Sequence, residues 1–341
     1  MKTSLLFSTL LFSVYVSSSF AQEALPEKVP APAGATVTEE KILLGKTLYF
    51  DPRLSKDGTI SCNSCHNVMA GGDDNRSFSA GVGAKLGGRS APTVWNSAFM
   101  SVQFWDGRAA SLEEQAKGPL TNPVEMAMTD HNLVISRIKN IPGYKALFDK
   151  AFGKNSKIDI DNVVKAIAAY ERTLITPNAR FDLYIKGDKK ALREEEIKGF
   201  ELMKTTGCFA CHSGANFAGP TLPIGTGFYM KFPTFPGSAY DTKYDLMKDM
   251  GRFDVTKKDE DKHLWRVPTL RNIALTAPYF HNGSVAHLDE AVRVMAKTQL
   301  NKDLSKKEVQ SIVAFLKTLT GERPVQTMPI LPSTDATTLT P

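Results

Sequence analysis

The feature that most constrains the fold of this chain is a five-residue pattern that occurs twice and uses all four of its cysteines. Residues 62–66 read CNSCH and residues 208–212 read CFACH. Two thiols one helical turn apart can bond both vinyl groups of one porphyrin, and the adjacent histidine then faces the iron. The pattern therefore predicts two c-type haems. Their covalent attachment sites and first iron ligands would be Cys62, Cys65, Cys208, Cys211, His66 and His212.

Other uses of these cysteines remain open from the pattern alone. Four cysteines in an exported chain also suggest two disulfides. A zinc site would need two ligand pairs close together, and a thioredoxin-like redox pair would need one motif beside a βαβ unit. The haem interpretation is favoured because it explains the histidine that follows each pair.

The rest of the chain repeats around the two motifs. Residues 92–98 (PTVWNSA) match residues 268–274 (PTLRNIA), and Trp105 and His281 follow the two prolines at the same distance. Each half then closes with a related apolar pattern, near Val164 in the first half and near Val309 in the second. This self-similarity indicates a duplicated, helical, haem-binding module.

Local patterns predict mainly α-helix. The clearest helix begins at a capping box formed by Ser305 and Glu308. Another amphipathic segment begins after Asp161, and helical patterns surround Ile42–Phe50 and Glu194–Lys204. No strong alternating pattern of a β-strand appears, so the sequence favours a mainly α protein.

Two long segments, residues 69–89 and 215–261, are rich in Gly, Pro and Asp and predict loops. Loops of this length are expected to pack over a porphyrin rather than over a protein core. The dipeptides Gly118-Pro119 and Asn122-Pro123 are expected to break regular helix in the segment between them.

The first 21 residues predict a secretory signal peptide. Lys2 is the only charge, Leu5–Val16 is apolar, and small residues precede a cut before Gln22. No later apolar run approaches the ~20 residues of a membrane span, which excludes an integral membrane protein. The net charge of +6, which includes Lys2, favours solubility and an acidic partner. The chain has no run of basic residues, so the sequence does not indicate nucleic-acid binding.

The sixth ligand of each iron sets the function of its haem. Met295 lies in a short helical stretch of the second module, and a thioether opposite His212 would give a saturated haem suited to electron transfer. A core role for this methionine is an equal alternative. The first module has no equivalent residue, and its possible methionine ligands are Met69, Met100, Met126 and Met128.

Gln115 and Glu125 lie near the first motif in sequence. An iron with an open site and a carboxylate able to move a proton are the minimum machinery for splitting a peroxide bond. Simple solvation of Glu125 at the surface is the alternative, and the pattern alone favours it.

Taken together, these motifs resemble those of the bacterial di-haem cytochrome c peroxidases. The segments that carry the resemblance are SCNSCH (61–66), APTVWN (91–96), QFWDGRAA (103–110), EQAKGP (114–119), GCFACH (207–212) and TAPYFHNG (276–283). The resemblance implies two cytochrome c-like domains with long loops, each holding one covalently attached c-type haem. The N-terminal domain would span residues 22–175, completed by the tail 322–341, and the C-terminal domain residues 176–321.

The resemblance also implies roles for single residues. The N-terminal haem would react with peroxide, with Gln115 as the distal glutamine and Glu125 as the catalytic glutamate. The C-terminal haem, ligated by His212 and Met295, would deliver electrons through Trp105. One calcium ion between the domains would contact Ser90, Thr276 and Pro278, the last two through main-chain oxygens.

The implied partners are hydrogen peroxide and a small electron-donor protein, either a cytochrome c or a cupredoxin. The family is commonly dimeric, so a homodimer is expected, and the signal peptide implies the periplasm. An exported electron carrier with two saturated haems is a rival. A second rival is the related di-haem enzyme that oxidises tryptophans of methylamine dehydrogenase, which has a tyrosine where this chain has Met295.

Two positions depart from the family pattern. Many members carry a distal histidine that ligates the first iron in the resting enzyme, and Val82 occupies that place here. Because valine cannot ligate iron, we expect the first haem to be open or weakly ligated even when fully oxidised. Ser90 stands where the family usually has an asparagine beside calcium, which lowers the expected affinity for that ion.

Overall fold

The computed structural model describes residues 22–29 and 36–334, so the expected signal peptide, residues 1–21, lies outside the described residues. The helices of the described part are α1 Glu39–Phe50, α2 Cys62–Cys65, α3 Leu112–Thr121, α4 His131–Lys139, α5 Pro142–Phe152, α6 Ile160–Glu171, α7 Arg180–Ile185, α8 Glu194–Thr206, α9 Ala239–Lys243, α10 Phe253–Thr256, α11 Leu288–Leu300 and α12 Lys306–Lys317. Two short antiparallel strands, β1 Tyr229–Lys231 and β2 Leu264–Arg266, pair Met230 with Trp265. The fold is therefore mainly α. Within the described ranges, no helix combines the length and the apolar character needed to cross a bilayer.

The same helix crossing occurs in both halves, which we call the first module (residues 36–175) and the second module (residues 176–321). Helix α1 packs on α6, and α8 packs on α12. A Cβ atom added at Gly45 of α1 would lie 1.8 Å from the main-chain oxygen of Ala166, and one added at Gly199 of α8 would lie 2.0 Å from that of Ser311. Both crossings therefore require glycine, because the two backbones touch at these points.

Helix starts follow the local signals to within two residues. Helix α12 begins as expected, since Ser305 Oγ accepts a hydrogen bond from the N–H of Glu308 at 3.3 Å, and the Glu308 carboxylate accepts from the N–H of Ser305 at 2.7 Å. Helix α6 begins earlier than expected. Its N-cap is Asp159, whose carboxylate accepts a hydrogen bond from the N–H of Asn162 at 2.9 Å.

Two expectations about irregular segments were wrong. Helix α3 continues through Gly118-Pro119 to Thr121. Pro119 lies in the last turn, where its missing N–H removes one hydrogen bond, and the N–H of Asn122 closes that turn on the Gly118 oxygen at 3.1 Å. The segment 215–261 also contains β1, α9 and α10, which are too short to leave a periodic signal.

Each module has its own apolar core. In the first module, α1 and α3–α6 bury a cluster that includes Leu48, Tyr144 and Ile167. In the second, aromatic rings from α7, α8, α12 and the intervening loops fill the core, with the Phe181 and Phe217 ring centroids 5.3 Å apart. Helical packing thus accounts for both cores, and the long loops are left to surround the cavities described below.

The two ends of the chain pack on the module farther from them in sequence, and we call residues 22–29 and 322–334 the crossing termini. Leu25 is 1% exposed, and its N–H donates to Asp182 of the second module at 3.0 Å. Residues 22–29, which were expected to belong to the N-terminal domain, thus contact the second module. The C-terminal segment contacts the first module, where Arg53 donates to the Pro332 oxygen at 2.8 Å and Tyr170 to Gln326 at 2.8 Å.

Candidate active site

A cavity of about 560 Å³ lies in the first module, and Asp249, Asp254 and Val255 of the second module also contribute to its wall. Helix α2 begins at a capping box of Ser61 and Ser64 and delivers the first cysteine pair to the cavity wall. The expected site residues that line this one cavity are Cys62, Cys65, His66, Ser90, Trp105, Gln115 and Glu125. Residues separated by up to 63 positions in the chain are thus brought to one site, as a catalytic centre requires.

Two overlapping cavities of about 200 Å³ and 80 Å³ lie around the second haem motif, and residues 90–93 and 103–105 of the first module also line the larger one. Cys208, His212 and Met295 line both, and Cys211 lines the smaller one. Met295 lies on α11, so this helix presents a thioether to the cavity that His212 also faces. Both residues of the expected histidine–methionine ligand pair therefore lie on the walls of the same cavities.

The two motif histidines are oriented in the same way. His66 Nδ1 lies 2.9 Å from the Pro92 oxygen, and His212 Nδ1 lies 3.1 Å from the Phe217 oxygen. Because a carbonyl oxygen can only accept, each Nδ1 must carry the proton, and each Nε2 is left as a free ligand atom. Burial lowers the pKa of both rings, so both are held in the neutral form that binds iron.

The side chains around both cavities fit c-type haem. Burial raises the pKa of Cys65 and of Cys208 to about 11, whereas a redox-active Cys-x-x-Cys pair depends on a lowered thiol pKa. In the wall of the second cavity, the buried indole nitrogen of Trp265 has no hydrogen-bond partner among the described residues. A porphyrin offers carboxylate groups to such a donor, which neither a zinc ion nor a disulfide would do.

Trp105 lines the cavities of both modules. Its indole N–H donates to the Ser90 oxygen at 2.8 Å, and its main-chain oxygen accepts from the N–H of Arg266 at 2.9 Å. The ring is therefore fixed between the two cavities by one residue from each module.

Glu125 is partly buried beside a fixed set of partners. Its carboxylate accepts a hydrogen bond from Asn122 Nδ2 at 2.8 Å. Burial raises the pKa of Glu125, while the positive charge of Arg108 and the Asn122 bond act in the opposite direction. Arg108 is itself held by Asp106 at 2.8 Å and lies 3.5 Å from the centre of the Phe104 ring. The carboxyl group is thus poised to change its protonation state inside the cavity.

The loop that carries Val82 is closed onto the segment of Glu125. The N–H of Val82 donates to the main-chain oxygen of Glu125 at 2.8 Å, and the Val82 side chain does not line the first cavity. Of the four methionines considered as ligands, Met126 lies on this cavity wall and Met100 on the wall of the second cavity. Met69 is exposed and Met128 is buried in the core of the first module.

Ser90, Thr276 and Pro278 line a common wall, together with Asp73. Asp73 is 4% exposed, its Oδ1 atom has no hydrogen-bond partner among the described residues, and burial raises its pKa to about 7. An orphaned carboxylate oxygen is a ligand that suits a hard cation such as calcium. The residues present therefore fit the calcium ion that the resemblance implied. Asp73 can supply a negative charge to this site, which Ser90 cannot.

Sequence reasoning missed three charged residues of these sites: Asp73, Arg108 and Glu171. The adjacent pair Asp73-Asp74 after the first haem motif was an available signal for a cation site. Arg108 lies inside one of the motifs that carried the resemblance, but nothing in the pattern directed its side chain to Glu125. Glu171 reads as an ordinary polar residue at the end of an amphipathic helix, and its burial depends on tertiary packing.

Comparisons with known proteins agree with this geometry. The family described as di-haem cytochrome c peroxidase matches residues 39–190. A cytochrome c551 peroxidase of Nitrosomonas europaea is 47% identical over 307 residues, which is 90% of this chain and 86% of that protein. One of Pseudomonas aeruginosa is 46% identical over 319 residues, covering 93% and 89%.

A solved structure supports the same assignment. The crystal structure of a MauG-like protein associated with microbial copper homeostasis superimposes with a TM-score of 0.76 at 29% identity, covering 87% of this chain and 95% of that one. With the two haem cavities, the ligand geometry and relatives of this similarity over most of its length, the chain belongs to the di-haem cytochrome c peroxidase family.

Proposed function

We propose that this protein reduces hydrogen peroxide to water in the periplasm, with electrons from a small cytochrome c or a cupredoxin. The observation that carries the proposal is that Glu125 and Gln115 line the same cavity as His66, while Met295 shares the other cavity with His212. One cavity thus offers a proton-transfer group, and in the other Met295 would supply a second ligand to the haem iron.

The thiols of Cys62 and Cys65 would hold one haem and those of Cys208 and Cys211 the other. When bound, these groups supply the iron redox chemistry, in which peroxide takes up two electrons and two protons to give two waters. Glu125 accepts a proton from one peroxide oxygen and returns it to the other, and the Gln115 amide orients the peroxide by hydrogen bonding.

This proposal is tested on the oxidised holoprotein. We expect an electron paramagnetic resonance spectrum with a high-spin ferric signal, cyanide binding without prior reduction, and peroxide-dependent oxidation of a reduced cytochrome c. The reason is that Val82 replaces the ligand that closes this haem in many family members. Two low-spin haems that bind no cyanide in any redox state would instead indicate an electron carrier, and a low-spin signal lost in Met126→Leu would identify Met126 as the sixth ligand.

Trp105→Phe is expected to slow electron delivery between the two haems. The indole lies between the cavities, and phenylalanine keeps an aromatic ring there but loses the hydrogen bond to Ser90 and part of the π-system. Stopped-flow spectra should show that the reduced protein still reacts with peroxide, while steady-state turnover with a protein donor falls. Trp265→Phe is the matched control, since Trp265 lines only the second cavity among those described. Equal turnover of both variants would remove Trp105 from the path.

Arg108→Met is expected to move the acidic limb of the pH–rate profile upward. Without the guanidinium charge the pKa of Glu125 rises further, so the ionised base is lost at a higher pH than in the wild type. Because Arg108 is partly exposed, we expect a shift of about one pH unit or less. The bimolecular rate constant with peroxide, measured across pH, checks this. Lys117→Met removes an exposed cation from α3 and should leave the profile in place.

We further propose one calcium ion at Ser90, Thr276 and Pro278, with Asp73 supplying negative charge. The orphaned carboxylate oxygen of Asp73, which lies on the same cavity wall as Ser90, Thr276 and Pro278, supports this assignment. The rival activity, oxidation of tryptophans in another protein, is less well supported, since that enzyme has a tyrosine at the position of Met295. We also expect a homodimer, on the basis of the family resemblance.

A further inference from the structure

The wall of the first cavity contains a second glutamate that the proposed reaction does not use. Glu171, the last residue of α6, is 6% exposed and lines the same cavity as Cys62 and Glu125. Its Oε2 atom is buried and has no hydrogen-bond partner among the residues that the structure describes. A buried carboxyl oxygen without a partner is costly and therefore requires an explanation.

The groups around Glu171 do not neutralise it. Arg172, the adjacent cation, pairs with Glu113 of α3 at 2.8 Å. The hydroxyl of Tyr49, on α1, donates to the His66 oxygen at 2.7 Å, and that of Tyr170 donates to Gln326 of the C-terminal crossing terminus at 2.8 Å. Arg172, Tyr49 and Tyr170 thus all bond to other acceptors. The Glu171 carboxyl group can therefore carry a proton.

The two glutamates of this cavity differ in their surroundings. Glu125 has the Asn122 amide and the Arg108 charge, whereas Glu171 has neither a donor to Oε2 nor an unpaired cation. Burial raises the pKa of Glu171 to about 8, and the charges of Arg172 and Glu113 act on it in opposite directions. Environments that separate two carboxyl groups in this way are typical of groups with different roles in proton transfer.

Glu171 also lies close to the point of haem attachment. Its charge acts on the sulfur of Cys62 and on the hydroxyl of Tyr49, both in the cavity wall or next to it. A porphyrin bonded to Cys62 would therefore have Glu171 near its edge. The charge of that porphyrin and its iron changes by one unit on each electron transfer, and such a change acts strongly on a poorly solvated carboxyl group.

We propose that Glu171 takes up a proton when the first haem is reduced. One electron from the donor enters the haem, and one proton from solvent converts the Glu171 carboxylate to the carboxylic acid, so the charge of the cavity is unchanged. By linkage, the electron raises the proton affinity of the carboxylate, and the proton raises the electron affinity of the haem by the same factor. This inference rests on the proposed function, because it assumes that the first cavity holds the haem that is reduced during turnover.

The test is a spectroelectrochemical titration of the first haem in the holoprotein, repeated at pH values on both sides of 8. In the window between the pKa of Glu171 in the oxidised and in the reduced protein, we expect the midpoint potential to fall as pH rises. The limiting slope is one proton per electron, a tenfold change in the equilibrium constant per pH unit, which is about 59 mV. Below and above this window the slope should vanish.

Glu171→Gln should abolish this slope while the haem content stays at two per chain. Glu114→Gln is the matched control, since Glu114 lies exposed on α3 and accepts only from the Ala110 N–H at 2.6 Å. A slope that persists unchanged in Glu171→Gln overturns the inference. If that variant fails to fold, the reduced-minus-oxidised infrared spectrum of the wild type decides: a new carboxylic acid C=O band on reduction supports the inference, and its absence contradicts it.

The outcome is separable from that of the proposed function. A protein with the expected slope but no peroxidase activity would keep the role of Glu171 and lose the proposed reaction. An active peroxidase whose first haem has a pH-independent potential would keep the reaction and lose this role.

Discussion

Glu125→Gln is expected to lower turnover with peroxide by about a hundredfold to ten-thousandfold, the usual contribution of a positioned acid–base group. The amide keeps a carbonyl oxygen that can accept from Asn122, so the fold and the haem content should be unchanged. What it loses is the capacity to take and return a proton. Stopped-flow mixing of the holoprotein with peroxide, together with a pyridine haemochrome assay, measures both quantities.

The same substitution at Glu114 controls for this experiment, because Glu114 lies on α3 outside the cavity wall. A Glu125→Gln variant with full activity would remove Glu125 from the acid–base role. The pH profile adds a second criterion. Since burial raises the pKa of Glu125, the wild-type rate should fall at a pH above that of an ordinary glutamate, and the variant should lose this limb.

Met295→Leu should have the second large effect. Leucine preserves apolar packing on α11 but removes the thioether that shares the second cavity with His212. Axial ligands set haem potentials over about 0.8 V, and methionine raises them, so we expect the potential of the second haem to fall by on the order of 100 mV or more. Electron uptake from a protein donor should fail, whereas cyanide should now bind to both haems.

Met230→Leu provides the matched control, because Met230 also lines the second cavity but lies on β1. The near-infrared band of methionine-ligated ferric haem should disappear in Met295→Leu and persist in Met230→Leu. The opposite pattern would make Met230 the ligand and Met295 a packing residue.

The features that were predictable from the sequence are those encoded over short distances. Two thiols and a histidine within five residues specify haem attachment almost completely, and the capping box of Ser305 and Glu308 marks the start of α12 with no help from tertiary contacts. The related patterns near Val164 and Val309 revealed the duplication because helix period and apolar burial recur together. These signals were enough for the fold class and for the family.

The features that could not be predicted depend on tertiary contacts. Pro119 is tolerated in α3 because it lies in the last turn, which cannot be known without the helix end. Gly45 and Gly199 look like weak points in helices until α6 and α12 are seen to touch them. Glu171 likewise becomes unusual only when Arg172 is found to be paired with Glu113 and its other neighbours bonded elsewhere.

The crossing termini bear on the order in which the molecule can be assembled. Leu25 and its neighbours are synthesised before the second module, which they contact, and residues 322–334 are synthesised after the first module, which they contact. The first module therefore cannot complete its contacts until residues 322–334 have been made, in contrast to the usual domain-by-domain maturation of nascent proteins. Cleavage of the backbone near residue 175 should accordingly leave two fragments that stay associated, because each fragment would carry one crossing terminus that packs on the other fragment.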